Sequence, residues 1–79
     1  MGIRNIADIV GVCTYKSYDA TAGTLQIDIQ SGRKSHSLVA YGRDAAGLHQ
    51  YINVHNTYRI KLCHHDTYGT VMCGAEYLG

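Results

Sequence analysis

The sequence of 79 residues has no proline, phenylalanine or tryptophan, so its seven tyrosines are its only large aromatic side chains. Its formal net charge is only +1, whereas proteins that bind nucleic acid through electrostatic attraction alone are usually more basic. No apolar run approaches the roughly 20 residues that a membrane-spanning helix needs. The composition therefore indicates one small globular domain without a strong field of either sign.

The first residues show no pattern typical of a secretory signal. Arg4, Asn5 and Asp8 interrupt the apolar positions of residues 1–12. A secreted chain whose signal had been removed would have the same pattern. We predict an intracellular protein, cytoplasmic or nuclear.

Three cysteines, at positions 13, 63 and 73, are an odd number, which does not suit a framework built of disulfides alone. We interpret them as small buried hydrophobic residues in a reducing compartment. One disulfide between two of them is the alternative.

Neither a metal site nor a catalytic site is predicted. Cys63, His64 and His65 are ligand types for zinc, but adjacent residues of a strand point to alternating faces, and no C-x-x-C spacing occurs. There is no nucleophile elbow, phosphate-binding loop or pair of suitably spaced carboxylates. Because a chain this small seldom encloses a reactive pocket, we predict a non-enzyme without a cofactor.

Short segments that favour β-strands recur along the chain, with turn signals between them. Two of them alternate apolar and polar residues, the period of a half-buried strand: residues 25–29 (LQIDI) and 57–63 (TYRIKLC). Further strands are predicted at residues 10–15, 35–41 and 70–73.

Between the third and fourth strands the pattern becomes helical. Ala45, Leu48 and Ile52 have helical spacing, and Asp44 is placed to cap the helix N-terminus. Gly47 disfavours a long helix, so two to three turns are expected.

The order β-β-β-α-β-β is that of the OB-fold, a partly open five-stranded Greek-key barrel. An SH3-like barrel normally lacks the helix, and a ferredoxin-like fold needs two helices. We therefore predict one all-β OB-type domain over residues 1–79, with one short helix. The predicted barrel core consists of Leu25, Ile27, Ile29, Leu38, Ile60, Leu62 and Val71, with Leu48 and Ile52 capping it.

Specific residues carry a resemblance to a known family. Residues 8–13 (DIVGVC) and 17–21 (SYDAT) resemble the opening strand of the OB domains of the replication protein A large subunit. Residues 38–45 (LVAYGRDA) look like the third strand and helix entry of that family. Residues 58–69 are similar to its fourth strand and the hairpin that follows. The resemblance implies binding of single-stranded DNA.

In that family two aromatic residues, one ending the third strand and one in the last hairpin, stack on successive bases. The resemblance places these roles on Tyr41 and Tyr68, and it places a basic partner at His64. A planar ring suffices for such stacking, which contributes roughly 1–3 kcal/mol per base.

The strand pattern independently predicts a sheet face on which tyrosine alternates with basic residues, as a groove for phosphates and bases requires. If Leu38 and Ala40 face the core, Tyr41 faces outward. If Ile60 and Leu62 face inward, the outward-facing residues of that strand are Arg59, Lys61 and Cys63. The predicted nucleic-acid-binding set is Tyr41, Tyr68, Arg59, Lys61, His64, Lys16, Arg33, Lys34 and Arg43.

Three functions follow from these patterns. The first is binding of single-stranded DNA, with RNA as the alternative polymer. The second is a protein-interaction OB module that docks a partner chain, which the near-neutral charge favours. The third is a glycan-binding subunit of a toxin-like homo-oligomer, since tyrosine-rich surfaces suit sugar recognition.

Overall fold

The computed structural model describes residues 3–79, with side chains described from Ile6 onward. The strands and the helix are, in chain order, β1 Ile3–Asp19, β2 Thr24–Ser31, β3 Lys34–Tyr41, α1 Gly42–Tyr51, β4 Thr57–His65 and β5 Gly69–Tyr77. The predicted order of five strands with one helix between the third and fourth is confirmed. All five strands pair antiparallel in one sheet, in the order β3-β2-β1-β4-β5.

Strand β1 is far longer than the six residues predicted, because it pairs with two neighbours in turn. Its first part, from Ile3 to Val12, pairs with β4, and its second part, from Val12 to Asp19, pairs with β2. Register shifts interrupt it between residues 5 and 7 and between residues 13 and 15. Extra residues of this kind bend a strand and increase its twist.

Gly11 lies where β1 passes from one partner to the other. A Cβ atom at this position would clash with the carbonyl oxygen of Gln30 and would lie 2.7 Å from the Cγ2 atom of Ile29. The second strand can therefore approach β1 here only because residue 11 has no side chain.

Helix α1 begins directly after β3. The turn between them is made at Gly42, whose φ of 61° lies in the left-handed region that favours glycine. Asp44 was predicted to cap the helix, but the N-cap residue is Tyr41, without a side-chain capping bond, and Asp44 lies in the first turn. The predicted length of two to three turns is confirmed by the ten residues observed.

The core lies between the sheet and α1. Its buried residues are Cys13, Leu25, Ile27, Ile29, Leu38, Ala40, Ala45, Leu48, Ile52, Tyr58, Ile60, Leu62 and Met72. All nine residues predicted for the core are buried. Val71 lies outside this cluster, however, and Met72 occupies the place predicted for it. The register of β4 and β5 shifts between Lys61 and Leu62, so that Leu62 pairs with Met72.

A disulfide joins Cys63 on β4 to Cys73 on β5, with Cα atoms 5.9 Å apart. The prediction of three reduced cysteines is thus wrong for two of them, and the single-disulfide alternative is observed. Cys13 is a free, buried thiol, and its burial raises its pKa. The two cysteines lie on paired strands beside the register shift between Lys61 and Leu62, a feature that the sequence pattern does not predict.

No helix among residues 3–79 is long and apolar enough to cross a membrane.

The close approach at Gly11 leads to a stability prediction. Gly11→Ala should lower the free energy of unfolding by about 1–3 kcal/mol, because the added methyl overpacks the contact between β1 and β2. Urea denaturation followed by circular dichroism measures the change.

Gly47→Ala is the matched control, since nothing lies within 4 Å of a Cβ atom at that exposed helical position. This variant should be more stable than the original protein by about 0.5–1 kcal/mol, from helix propensity. Equal effects of the two changes would contradict the close-approach explanation.

Candidate nucleic-acid interface

The end of β3 and the tip of the β4–β5 hairpin meet in a pair of stacked tyrosines. The ring centroids of Tyr41 and Tyr68 are 4.1 Å apart and the rings are inclined by 15°. Tyr68 is 51% exposed, whereas Tyr41 is half-buried. The two residues that the resemblance assigns to base stacking therefore lie in direct contact, although they are far apart in sequence.

The hairpin tip is shaped by His65, the last residue of β4. Its Nδ1 atom accepts hydrogen bonds from the backbone N–H groups of Thr67, at 3.0 Å, and Tyr68, at 3.4 Å. Its ring also lies against Tyr68, with centroids 4.9 Å apart. His65 thus holds the turn that presents Tyr68.

The resemblance places the basic partner at His64, whereas the histidine that contacts the tyrosine pair is His65. In the structure His64 is exposed on β4 and makes no side-chain hydrogen bond with the described residues, whereas its neighbour contacts the aromatic pair. The sequence pattern that indicates this role is the tight turn after His65. A side chain with an acceptor atom at the first position of such a turn can accept hydrogen bonds from the backbone N–H groups two and three residues later.

A cleft of about 240 Å³ opens beside the tyrosine pair. It is lined by Tyr41, Gly42, Asp44, His65, Tyr68 and Val71. Val71 is buried although it lies outside the core cluster, because it forms part of the cleft lining. The cleft therefore combines two aromatic rings, an apolar side chain, a histidine and one carboxylate.

Two of the predicted cations are already engaged elsewhere. The Nζ atom of Lys16 donates to the backbone carbonyl oxygens of His49 and Ile52, each at 2.9 Å, and so places a positive charge at the C-terminal end of α1. Arg59 forms an ion pair with Glu76, with 2.7 Å between Nη1 and Oε1. These contacts leave each group fewer donors for a phosphate.

The other predicted cations are dispersed. Arg33 lies in the turn before β3, and Lys34 is the first residue of β3, seven residues and roughly 23 Å of strand from Tyr41. Lys61 is exposed on β4, where its backbone pairs with that of Asp8. Only Arg43, exposed at the start of α1, lies next to cleft residues in the chain. The structure thus brings together the aromatic part of the predicted site and not the basic part.

Within the described part of the chain, no three His, Cys, Asp or Glu side chains lie close enough together to hold a metal ion.

Similarity to known proteins gives no further guide to this site. No family model, curated protein or solved structure matches the chain. The resemblance to replication protein A domains therefore stays a prediction, and the function of the cleft has to be inferred from its geometry.

The contacts of Lys16 lead to a prediction that separates folding from binding. Lys16→Met keeps most of the aliphatic stem but removes both charged hydrogen bonds to the end of α1. The free energy of unfolding should fall by about 1–3 kcal/mol, as measured by urea denaturation.

If Lys16 instead bound a phosphate, its loss would reduce the slope of log affinity against log salt by about 1, the contribution of one phosphate contact. We expect no such reduction. An unchanged stability together with a shallower salt dependence would contradict the structural role.

Proposed function

We propose that this chain is an OB-type domain that binds single-stranded nucleic acid, with DNA as the first ligand to test. The observation that carries the proposal is the stacked Tyr41–Tyr68 pair at the edge of a cleft. Exposed aromatic rings bind bases of any sequence, because every base has a flat face on which a ring can stack.

The strand arrangement supports an OB-type barrel. Strand β1 lies at the centre of the sheet, with β2 and β3 on one side and β4 and β5 on the other. The two outermost strands, β3 and β5, approach each other, and α1 packs against β1, β2, β3 and β5. OB barrels bind oligonucleotides on the face of strands 2 and 3 and on the loops after strands 1 and 4. Tyr41 and Tyr68 occupy the end of β3 and the loop after β4.

The stacking geometry changes the expected binding mode. With ring centroids 4.1 Å apart, the two tyrosines leave no space for a base between them. We therefore propose that the pair acts as one platform and that a base stacks on its open side, instead of each ring holding a separate base. Tyr68, the more exposed ring, would be the one in contact.

The charge distribution predicts a weak and mainly non-electrostatic interaction. Lys16 and Arg59 are engaged within the protein, and Asp44 places a carboxylate in the cleft. Arg43 is the cation closest in sequence to the tyrosine platform. Affinity should therefore come from stacking more than from the release of counterions.

Micromolar-class binding to single-stranded oligomers of dT and rU is expected, with little affinity for duplex DNA. Log affinity should fall only shallowly with log salt, by the equivalent of about one to three phosphate contacts. Fluorescence anisotropy with labelled oligomers at two salt concentrations measures both quantities. Absence of binding at low salt would contradict the proposal.

The tyrosine platform makes a second, sharper prediction. Tyr41→Ala or Tyr68→Ala should each reduce affinity about tenfold or more, because a lost stacking contact costs on the order of 1–3 kcal/mol. Tyr41→Phe and Tyr68→Phe should stay within a few-fold of the original affinity, since the ring is what stacks.

Tyr15→Ala is the matched control for these variants. Tyr15 is 48% exposed on β1 and does not line the cleft, so its loss should leave affinity unchanged. Thermal melting should show that all five variants remain folded. If both alanine variants at the platform bind as well as the original protein, the assignment of these two tyrosines is mistaken.

The disulfide favours glycan binding as the second candidate. Disulfides such as Cys63–Cys73 are typical of oxidising compartments, which argues against the intracellular location expected from the sequence. A carboxylate beside tyrosine rings also suits the hydroxyl groups and apolar faces of sugars. Binding to immobilised glycans that Tyr68→Ala abolishes, with no binding to oligomers, would establish this alternative.

A further inference from the structure

We infer that the cleft beside the tyrosine platform prefers guanine among the bases, through the carboxylate of Asp44. The inference rests on the proposed function and adds a base preference to it. Its basis is the juxtaposition of Asp44, His65 and the Tyr41–Tyr68 pair around one cleft.

Asp44 is an unusual residue for a site that touches a polyanion. It is exposed in the first turn of α1, lines the cleft with both tyrosines, and accepts no hydrogen bond from the residues that the structure describes. A carboxylate repels phosphate, so Asp44 would weaken binding if it met only the sugar-phosphate backbone of the nucleic acid. Its position is useful if it contacts the edge of a stacked base.

The bases differ in what they offer to a carboxylate, which has acceptors only. Guanine presents two adjacent donors on its Watson–Crick edge, the N1–H and the N2 amine, and both can bond one carboxylate. Thymine and uracil present a single N–H between two carbonyl oxygens. Adenine and cytosine present an amine beside an unprotonated ring nitrogen, which a carboxylate repels. Asp44 therefore complements guanine best.

His65 supplies the remaining complement. Its Nδ1 atom accepts the two backbone hydrogen bonds of the turn, so a neutral imidazole carries its proton on Nε2. This residue of the cleft lining thus offers a donor, whereas the carboxylate of Asp44 offers acceptors. The O6 atom of guanine, next to N1–H on the same edge, is an acceptor for such a donor.

The size of the cleft agrees with a single base. Its volume of about 240 Å³ is below the roughly 300–1,000 Å³ of clefts that hold drug-sized ligands. A purine also covers more of an aromatic platform than a pyrimidine does. We expect one guanine to occupy the cleft while the neighbouring nucleotides contribute no base recognition there.

The test uses short dT oligomers whose central base is thymine, guanine, hypoxanthine, adenine or cytosine, with affinities measured by fluorescence anisotropy. The guanine oligomer should bind about tenfold more tightly than the all-thymine oligomer, the scale of a bidentate contact to a base edge. Hypoxanthine has the N1–H of guanine but lacks the N2 amine, so its oligomer should bind with intermediate affinity.

Asp44→Asn tests the residue directly, because the amide keeps one acceptor and replaces the other with a donor. In this variant the difference between guanine and hypoxanthine should disappear. Asp66→Asn is the matched control: it removes the same charge from the adjacent hairpin turn, at an exposed residue that does not line the cleft. It should keep the preference for guanine.

The outcomes separate the inference from the proposed function. Equal affinity for all five oligomers overturns the guanine preference and leaves single-strand binding intact. A preference for guanine that survives Asp44→Asn overturns the assignment to this carboxylate. Failure to bind any of the oligomers, guanine included, overturns both.

Discussion

The double pairing of β1 is the constraint on which the rest of the structure depends. This one strand holds β2 and β3 on one side and β4 and β5 on the other, so the two halves of the sheet are joined through it. Its bulges and the bare backbone at Gly11 let it bend. Because the sheet curls about β1, the strands at its two ends approach each other, and Tyr41 and Tyr68 come into contact. The aromatic platform is thus a product of sheet curvature as much as of local sequence.

Two of the basic residues help to hold the fold together. Lys16 stabilises the end of α1 and Arg59 is paired with Glu76, so two of the seven Lys and Arg side chains are already engaged within the protein. What the surface offers near the cleft is flat aromatic area, a carboxylate and a histidine. If it binds nucleic acid as we propose, such a site would discriminate by stacking and by the pattern of donors and acceptors, and it would gain little from the charge of the phosphates.

The sequence was most informative where local pattern and structure agree. Alternation in residues 25–29 and 57–63 correctly identified two strands and their inward faces, and the 3.6-residue spacing identified α1. It was least informative where non-local pairing decides. Residues 3–9 do not alternate, yet they form a strand because β4 pairs with them. Because of the register shift beside Leu62, the core contains Met72 instead of the predicted Val71. The disulfide between Cys63 and Cys73 lies beside the same shift. The roles of Lys16 and His65 depend on backbone groups that become neighbours only in the folded chain.

The absence of tryptophan gives the protein a useful optical property. Tyrosine emission is normally masked in proteins, because tryptophan accepts the excitation energy and dominates the spectrum. Here the seven tyrosines are the source of the intrinsic fluorescence, because the sequence has neither tryptophan nor phenylalanine. Two of them are stacked at the proposed binding surface, and a stacked base is an efficient quencher of a phenol ring. The unlabelled protein therefore carries its own reporter at the place where its ligand is proposed to bind.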